Sequence, residues 1–223
     1  MLSRHEEKYI LTYAQYALLR QRAIQVLQPD SHGENGTYTI TSLYFDDPED
    51  TGLYEKLDGL ALHSKFRVRT YDSSDRFIKL ERKDKQGILT QKISAPIQKD
   101  QLALLTQSGA WDQFSGTARD LVQQLQAKAF RPVVAIRYTR DAYYYPGSDF
   151  RLTFDRNIEA IPPDARALSD ATLQGIPAIE PGSVVMEIKY GSHIPAFARK
   201  LTRVQAPQLS LSKYALCREQ LGE

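Results

Sequence analysis

Charged residues recur at every second position in several short segments of this chain. Arg4, Glu6 and Lys8 alternate in RHEEKYIL, Arg67 and Arg69 in KFRVRTY, and Lys79, Glu81 and Lys83 in FIKLERK. Arg151 and Asp155 lie in RLTFD, and Glu187 and Lys189 in VVMEIKY. Side chains two apart on an extended strand leave the same face. The intervening positions, such as Phe66 and Val68, Ile78 and Leu80, or Met186 and Ile188, are apolar. Such strands pack one face on a core and present arginines, lysines and a few carboxylates on the other. That face suits capture of a polyanion together with a divalent metal. Arginines grip phosphate oxygens through two parallel hydrogen bonds, and lysines act as point charges. Glu187 is the leading metal ligand, because Mg²⁺ is commonly held by one or two carboxylates, substrate phosphates and water. Glu6 and Glu81 suit either metal binding or pairing with neighbouring lysines, and Asp155 suits orienting an arginine.

The elements that must position these groups follow from spacing. Thr12 with Gln15 forms a capping-box pattern, opening an amphipathic helix over 13–27 that Pro29 ends. Thr37 to Asp47 is a β-branched and aromatic strand, and a short helix over 49–58 stops at Gly59. Strands over 62–71, 76–84 and 87–94, joined by SSD and KQG turns, make an antiparallel meander. Helical spacing follows at 98–107 and 116–128, then strands at 132–145 and 149–157. A proline-rich loop over 161–182, a lid or a surface excursion, precedes a strand at 183–190. Helices near 195–204 and from about Ser212 finish the chain. The class is α+β, and about eight strands suffice to close an antiparallel β-barrel tunnel with flanking helices. Inward charges would then line the lumen, where the carboxylates do not balance the bases and an anion must make up the deficit.

The whole chain sets bounds on the ligand. It has 223 residues, a formal net charge of +2 and one cysteine, which excludes an intramolecular disulfide and any multi-cysteine metal site. Near-neutral charge overall, with cations gathered on particular strands, favours a compact, highly charged anion over a long duplex, so nucleic acid is not the expected partner. No segment approaches the ~18 apolar residues of a membrane span and no signal-peptide core opens the chain. A cytoplasmic, soluble protein is expected. Cys217 has the setting of a small buried helix residue.

These motifs together resemble the polyphosphate polymerase domain of the vacuolar transporter chaperone (VTC) family, a branch of the triphosphate tunnel metalloenzymes and CYTH-like proteins. The resemblance runs in order through RHEEKY at 4–9, SLYFDD at 42–47, YEKLDG at 54–59, KFRVRTY at 65–71 and FIKLERK at 77–83. It continues through YTRDAY at 138–143, RLTFD at 151–155, MEIKY at 186–190 and SKYALCREQL at 212–221, and makes residues 1–223 a single tunnel domain. It implies an antiparallel β-barrel tunnel, Mn²⁺ or Mg²⁺ as cofactor, and transfer of the γ-phosphate of ATP to a growing polyphosphate chain, with pyrophosphate a candidate primer. Carried over, Lys8, Arg67, Arg69, Lys79, Lys92, Arg140, Arg151, Lys189, Ser212 and Lys213 are the phosphate- and nucleotide-binding positions. Lys79, Arg140 and Glu187 are the catalytic ones, and Glu187 and Glu6 hold the metal.

Parity alone puts Arg140 on the side of Val134, Ile136 and Tyr138, so the resemblance requires a bulge that re-aims it or a strand that ends first; Arg137 is the substitute on the other parity. Arg4 stands where the wider superfamily has the first glutamate of an ExExK motif, removing one metal ligand. Ser210 stands where the eukaryotic enzymes carry a further basic residue. Those enzymes are joined to a membrane channel, a segment not expected here, which leaves action alone or with a membrane-protein partner; the oligomeric state is open. Two rival functions keep the same basic residues. One is a triphosphatase or polyphosphatase of this fold, and the other is a non-catalytic module binding polyphosphate or inositol polyphosphate.

Overall fold

The computed structural model describes residues 5–87, 89–191 and 193–222. In chain order its strands and helices begin with β1 (His5–Thr12), α1 (Tyr13–Ala23), β2 (Gln28–Pro29), β3 (Thr37–Asp46) and α2 (Thr51–Leu57). They continue with β4 (Leu62–Tyr71), β5 (Ser74–Gln86), β6 (Leu89–Ile97), α3 (Gly116–Ala127), β7 (Arg131–Tyr144) and β8 (Arg151–Ile161). The last are β9 (Ile176–Pro177), β10 (Ser183–Tyr190), α4 (Ala196–Leu201) and α5 (Lys213–Gln220). Strand order is β1-β10-β8-β7-β3-β4-β5-β6, with β2 added to β7 and β9 to β8. The expected α+β class and antiparallel pairing hold, but the hydrogen-bonded path ends at β1 and β6, so the sheet is not closed into a barrel by pairing among the described residues. The eight strands of that path are those the sequence pattern predicts. β2 and β9 have two residues each, too few to show a period.

The chain divides into two compact units, and β3, β7 and β8 each contribute residues to both. The first comprises residues 1–39, 138–158 and 179–212. In it β1, β10 and β8 pair antiparallel, with Lys8 opposite Glu187 and Glu187 opposite Thr153. One face buries Leu11, Leu152, Phe154, Met186 and Ile188 against Tyr16 and Leu19 of α1. The capping box at Thr12 is present in full: Thr12 Oγ1 accepts from Gln15 N and Gln15 Oε1 from Thr12 N. α1 stops at Ala23, a turn before the predicted end. Its carbonyl accepts from Leu27 N, which folds the chain toward β2.

The second unit comprises residues 40–137, 159–178 and 213–223. Here β3, β4, β5 and β6 form the predicted meander. The β4–β5 turn is Asp72–Ser73, both at φ +51°, as a two-residue hairpin of right-handed twist requires. Leu43, Phe45, Phe66, Val68, Ile78, Leu80, Ala95 and Ile97 of the meander bury one face against Leu121, Val122 and Leu125 of α3. At about 25 cal/mol per Å² of apolar surface, each of the leucines, isoleucines, valines and phenylalanines among them contributes about 1.5–3 kcal/mol. The 161–182 loop is neither lid nor surface excursion in its first half. Ala167 and Leu168 sit in this core within a 3-10 turn, and Arg137 donates to the carbonyls of Ala167, Asp170, Ala171 and Leu173. Arg137 is therefore a buried clamp on the loop and not a replacement for Arg140. Cys217 is fully buried on α5 and burial pushes its thiol up to about 12. No helix among the described residues is long and apolar enough to cross a membrane.

Candidate phosphate-binding faces

In the second unit, strand register turns the alternating charges into rows. Ser42, Arg69, Lys79 and Pro96 stand opposite one another across β3–β6. Tyr44, Arg67, Glu81 and Ser94 form the next row, and Lys65, Lys83 and Lys92 the third. All share the face away from the core. The rows hold six basic side chains and a single carboxylate, and Arg69–Lys79, Lys65–Lys83 and Lys83–Lys92 place like charges directly opposite. Such pairs destabilise a bare sheet.

Glu81 organises what it can. Only 1% exposed, it accepts from Arg67 Nε at 2.8 Å and from Lys92 Nζ at 3.1 Å. Burial alone would raise its carboxyl, but the charges of Arg67, Arg69 and Lys92 bring it down to about 2. Arg67 also donates to Tyr44 Oη at 3.0 Å, and Arg69 Nε to Ser42 Oγ at 3.0 Å. These bonds hold both guanidiniums upright on the sheet. Lys79 lies 5.9 Å from the Tyr71 ring centroid.

Tyr44 escaped the sequence analysis, although it sits inside SLYFDD. Its ring stacks on Tyr214 of α5 at 5.2 Å. Burial pushes its phenol up, yet Arg67 and Arg69 outweigh that and bring it down to about 8. An absorbance titration at 295 nm should therefore show one phenolate forming near pH 8, lost in Tyr44→Phe and moved upward by tripolyphosphate, which neutralises the two arginines. Because this folded value lies below the ordinary ~10, the stability it lends is fully present above pH ~10 and is lost as pH falls through about 8. The neighbouring Asp46 of the same motif is architectural. Its carboxylate accepts from Gly52 N at 2.9 Å and Leu53 N at 3.1 Å at the start of α2, and from Tyr214 Oη at 2.5 Å. Lys213, the expected phosphate ligand, is the first residue of α5.

The first unit carries a different face. Lys8 of β1 contacts Glu6 at 2.8 Å, and Lys189 of β10 contacts Glu187 at 2.7 Å and Glu6 at 3.7 Å. Arg140 lies inside β7, with Nε and Nη2 at 2.7 and 2.8 Å from the two oxygens of Asp155 and Nη2 3.9 Å from Glu187. Neither a bulge nor a strand end is needed. Ala135 and Tyr143 both enter core clusters, so the even-numbered residues between them point the other way. The apolar Val134 and Ile136 belong to Arg140's side. Burial disfavours the charge on Lys8, but Glu187 and Glu6 more than reverse this and raise its pKa; Asp155, ahead of Tyr138 and Glu187, does the same for Arg140.

Three bases meet three carboxylates here, so the predicted carboxylate deficit is confined to the meander. Arg151 is drawn elsewhere. Though on the parity of Asp155, it pairs with Asp30, which is held by His32 Nδ1 at 2.6 Å. The segment before α5 is tied along β1, Leu209 N donating to the Lys8 carbonyl at 2.9 Å and Lys8 Nζ to that of Leu211 at 3.2 Å. This fixes the chain immediately before Ser212. Arg4 lies outside the described residues.

The donor set fits a hard divalent cation. The Lys189 ammonium bridges Glu187 and Glu6, the two predicted metal ligands, so both carboxylates already converge on a cation. No cluster of three or more His, Cys, Asp or Glu side chains suited to a metal occurs among the described residues; a pair is what a phosphate-bound Mg²⁺ or Mn²⁺ ordinarily uses.

No curated protein matches the chain. Among solved structures it is similar to the PH1819 protein of Pyrococcus horikoshii OT3, at 14% identity and a TM-score of 0.53 over 97% of this chain and 99% of that one. It is also similar to a candidate adenylate cyclase of Bacillus halodurans, at 15% identity and a TM-score of 0.50 over 92% and 95%. At such identities the likeness concerns the fold alone. The VTC domain matches residues 3–221, nearly the whole chain, and the protein belongs to the VTC domain family.

Proposed function

We propose that this protein is a metal-dependent polyphosphate polymerase that moves the γ-phosphate of ATP onto a polyphosphate chain. The observation that carries the reading is the unbalanced cationic meander. Opposed like charges at Arg69–Lys79, Lys65–Lys83 and Lys83–Lys92 cost the bare sheet stability, and a polyanion laid along the rows relieves all three. Phosphoryl transfer asks mainly for positioning and charge neutralisation, which fixed guanidiniums supply. In the step, the bond from the γ-phosphorus to its bridging oxygen breaks, ADP keeps that oxygen, and a terminal chain oxygen forms the new bond.

Arg67 and Arg69, held by Glu81, Tyr44 and Ser42, would bind phosphate oxygens in fixed orientation, with Lys79 and Lys92 as mobile charges. Arg140, which Asp155 aligns, would give a further phosphate contact in this reading, as would Lys8, Ser212 and Lys213; Arg151 would join them on leaving Asp30. Glu187 and Glu6 would hold Mn²⁺ or Mg²⁺, which would supply charge neutralisation at the transferring group, and Lys189 beside them would serve as a phosphate contact. Pyrophosphate is the proposed primer, and residues 1–223 act as one domain in the cytoplasm, alone or beside a membrane-protein partner.

Incubation of the purified protein with ATP and Mn²⁺, assayed for long-chain polyphosphate and free phosphate in parallel, tests this directly. Polyphosphate with ADP is the expected result. Free phosphate alone would reassign the protein as a tunnel phosphatase, and neither product would make it a binding module.

A further inference from the structure

Two buried polar atoms of the first unit have no hydrogen-bond partner among the described residues: the hydroxyl of Tyr143, whose ring is in the apolar core, and that of Thr153. Thr153 lies on β8 between Arg151 and Asp155, on the face of the paired charges, with Glu187 directly opposite and Lys8 one strand further. It is 7% exposed, and its hydroxyl has no hydrogen-bond partner among the described residues. Leaving such a group unsatisfied costs about 1–3 kcal/mol. A valine has the same shape and β-propensity and would avoid that cost. A structural account of Thr153 therefore fails, since the hydroxyl is the only thing threonine adds.

A second open donor stands on the neighbouring strand, β7. Arg140 spends Nε and Nη2 on Asp155, two residues from Thr153, which leaves Nη1 without a hydrogen bond among the described residues. The ammonium groups nearby are already engaged by Glu6 and Glu187. What this face offers a newcomer is a fixed neutral O–H and one guanidinium N–H. Both are satisfied together by a group that brings acceptor oxygens, and a tetrahedral phosphate brings several.

We propose that Thr153 is a substrate-contacting residue whose hydroxyl donates to a non-bridging phosphate oxygen of the polyphosphate or nucleotide chain, beside the Nη1 of Arg140. The inference rests on the phosphate-binding function proposed above and adds a neutral contact to its charged ones. Its β-branched side chain is stiff at χ1, so the donor is pre-aimed.

The test is tripolyphosphate binding by calorimetry, with EDTA present so that no metal contributes. Thr153→Val should weaken affinity roughly tenfold or more, the value of a hydrogen bond to a charged acceptor, while Thr153→Ser stays near wild type. Thermal unfolding of Thr153→Val without ligand should occur at or above the wild-type temperature; a clear fall would mean the hydroxyl is structural and would overturn the proposal. Wild-type binding with an unchanged Thr153→Val affinity would overturn it as well. If Mn²⁺ affinity measured without phosphate drops instead, Thr153 serves the metal and the assignment is wrong. A wild type that fails to bind tripolyphosphate at all removes the phosphate-binding function, and this contact with it.

Discussion

Arg140→Ala is expected to destabilise the protein by about 3–5 kcal/mol, the range for removing one partner of a buried ion pair, and to abolish phosphoryl transfer. Asp155 is fully buried, and two hydrogen bonds from Arg140 help to offset its desolvation. Alanine takes both of these bonds from a carboxylate in a dry site, where its charged form is disfavoured. Urea denaturation of the variant measures the loss directly. In a chain of this size it corresponds to a fall in Tm on the order of 10 °C. Pairing the change with Asp155→Asn separates the two consequences. The double variant removes the orphaned charge, so it should regain most of the stability and none of the turnover. Full activity in the double variant would show that Arg140 serves the fold alone. If instead the single variant unfolds like wild type, water or a neighbour such as Lys8 compensates Asp155 and the pair is not the anchor of this face.

The same pair shows how far the sequence could be followed. Residues whose strands have one apolar and one charged face were legible, because a period of two fixes both faces at once. KFRVRTY and FIKLERK gave Arg67, Arg69 and Lys79 in this way, and their registry into rows adds only the partner strand. β7 offers no such contrast. Both of its faces are buried over Val133–Ile136, so apolar residues stand on each parity and the side of Arg140 cannot be inferred from its neighbours. Register is also non-local. That Lys8 meets Glu187 and Lys189 meets Glu6 depends on β1 pairing with β10, from opposite ends of the chain, and so the charge balance of the first unit was invisible. Arg151 had the right parity and still left the face, because Asp30 of an unpatterned loop attracts it. The buried Arg137 reads as a site cation until four loop carbonyls are seen to consume its donors. Family motifs, in turn, mark architecture and chemistry without distinction: in SLYFDD, Asp46 caps a helix while Tyr44 carries a phenol tuned by the arginines.

Lys79→Ala tests the cationic meander without the burden of a broken ion pair. Among the described residues Lys79 has no carboxylate partner, and its ammonium lies 5.9 Å from the Tyr71 ring centroid. Truncation therefore strands no buried charge. It also removes one like-charge opposition, since Arg69 stands directly across from it. Stability should stay within about ±0.5 kcal/mol, the usual range for such a site, with any shift upward. Affinity for tripolyphosphate should nevertheless fall about 10–100-fold, the value of one charge-assisted hydrogen bond, about 1.5–3 kcal/mol. Its salt dependence should also weaken, because one fewer charge contact is screened. The combination is what makes the variant informative. A residue retained for folding would lower Tm when removed, and one left on a solvated surface would change nothing. Loss of binding at constant or higher stability means that the meander tolerates a destabilising row of cations for the sake of an anion. Unchanged ATP consumption by Lys79→Ala would place the chemistry away from β4–β6, and the opposed lysines and arginines would then need another partner.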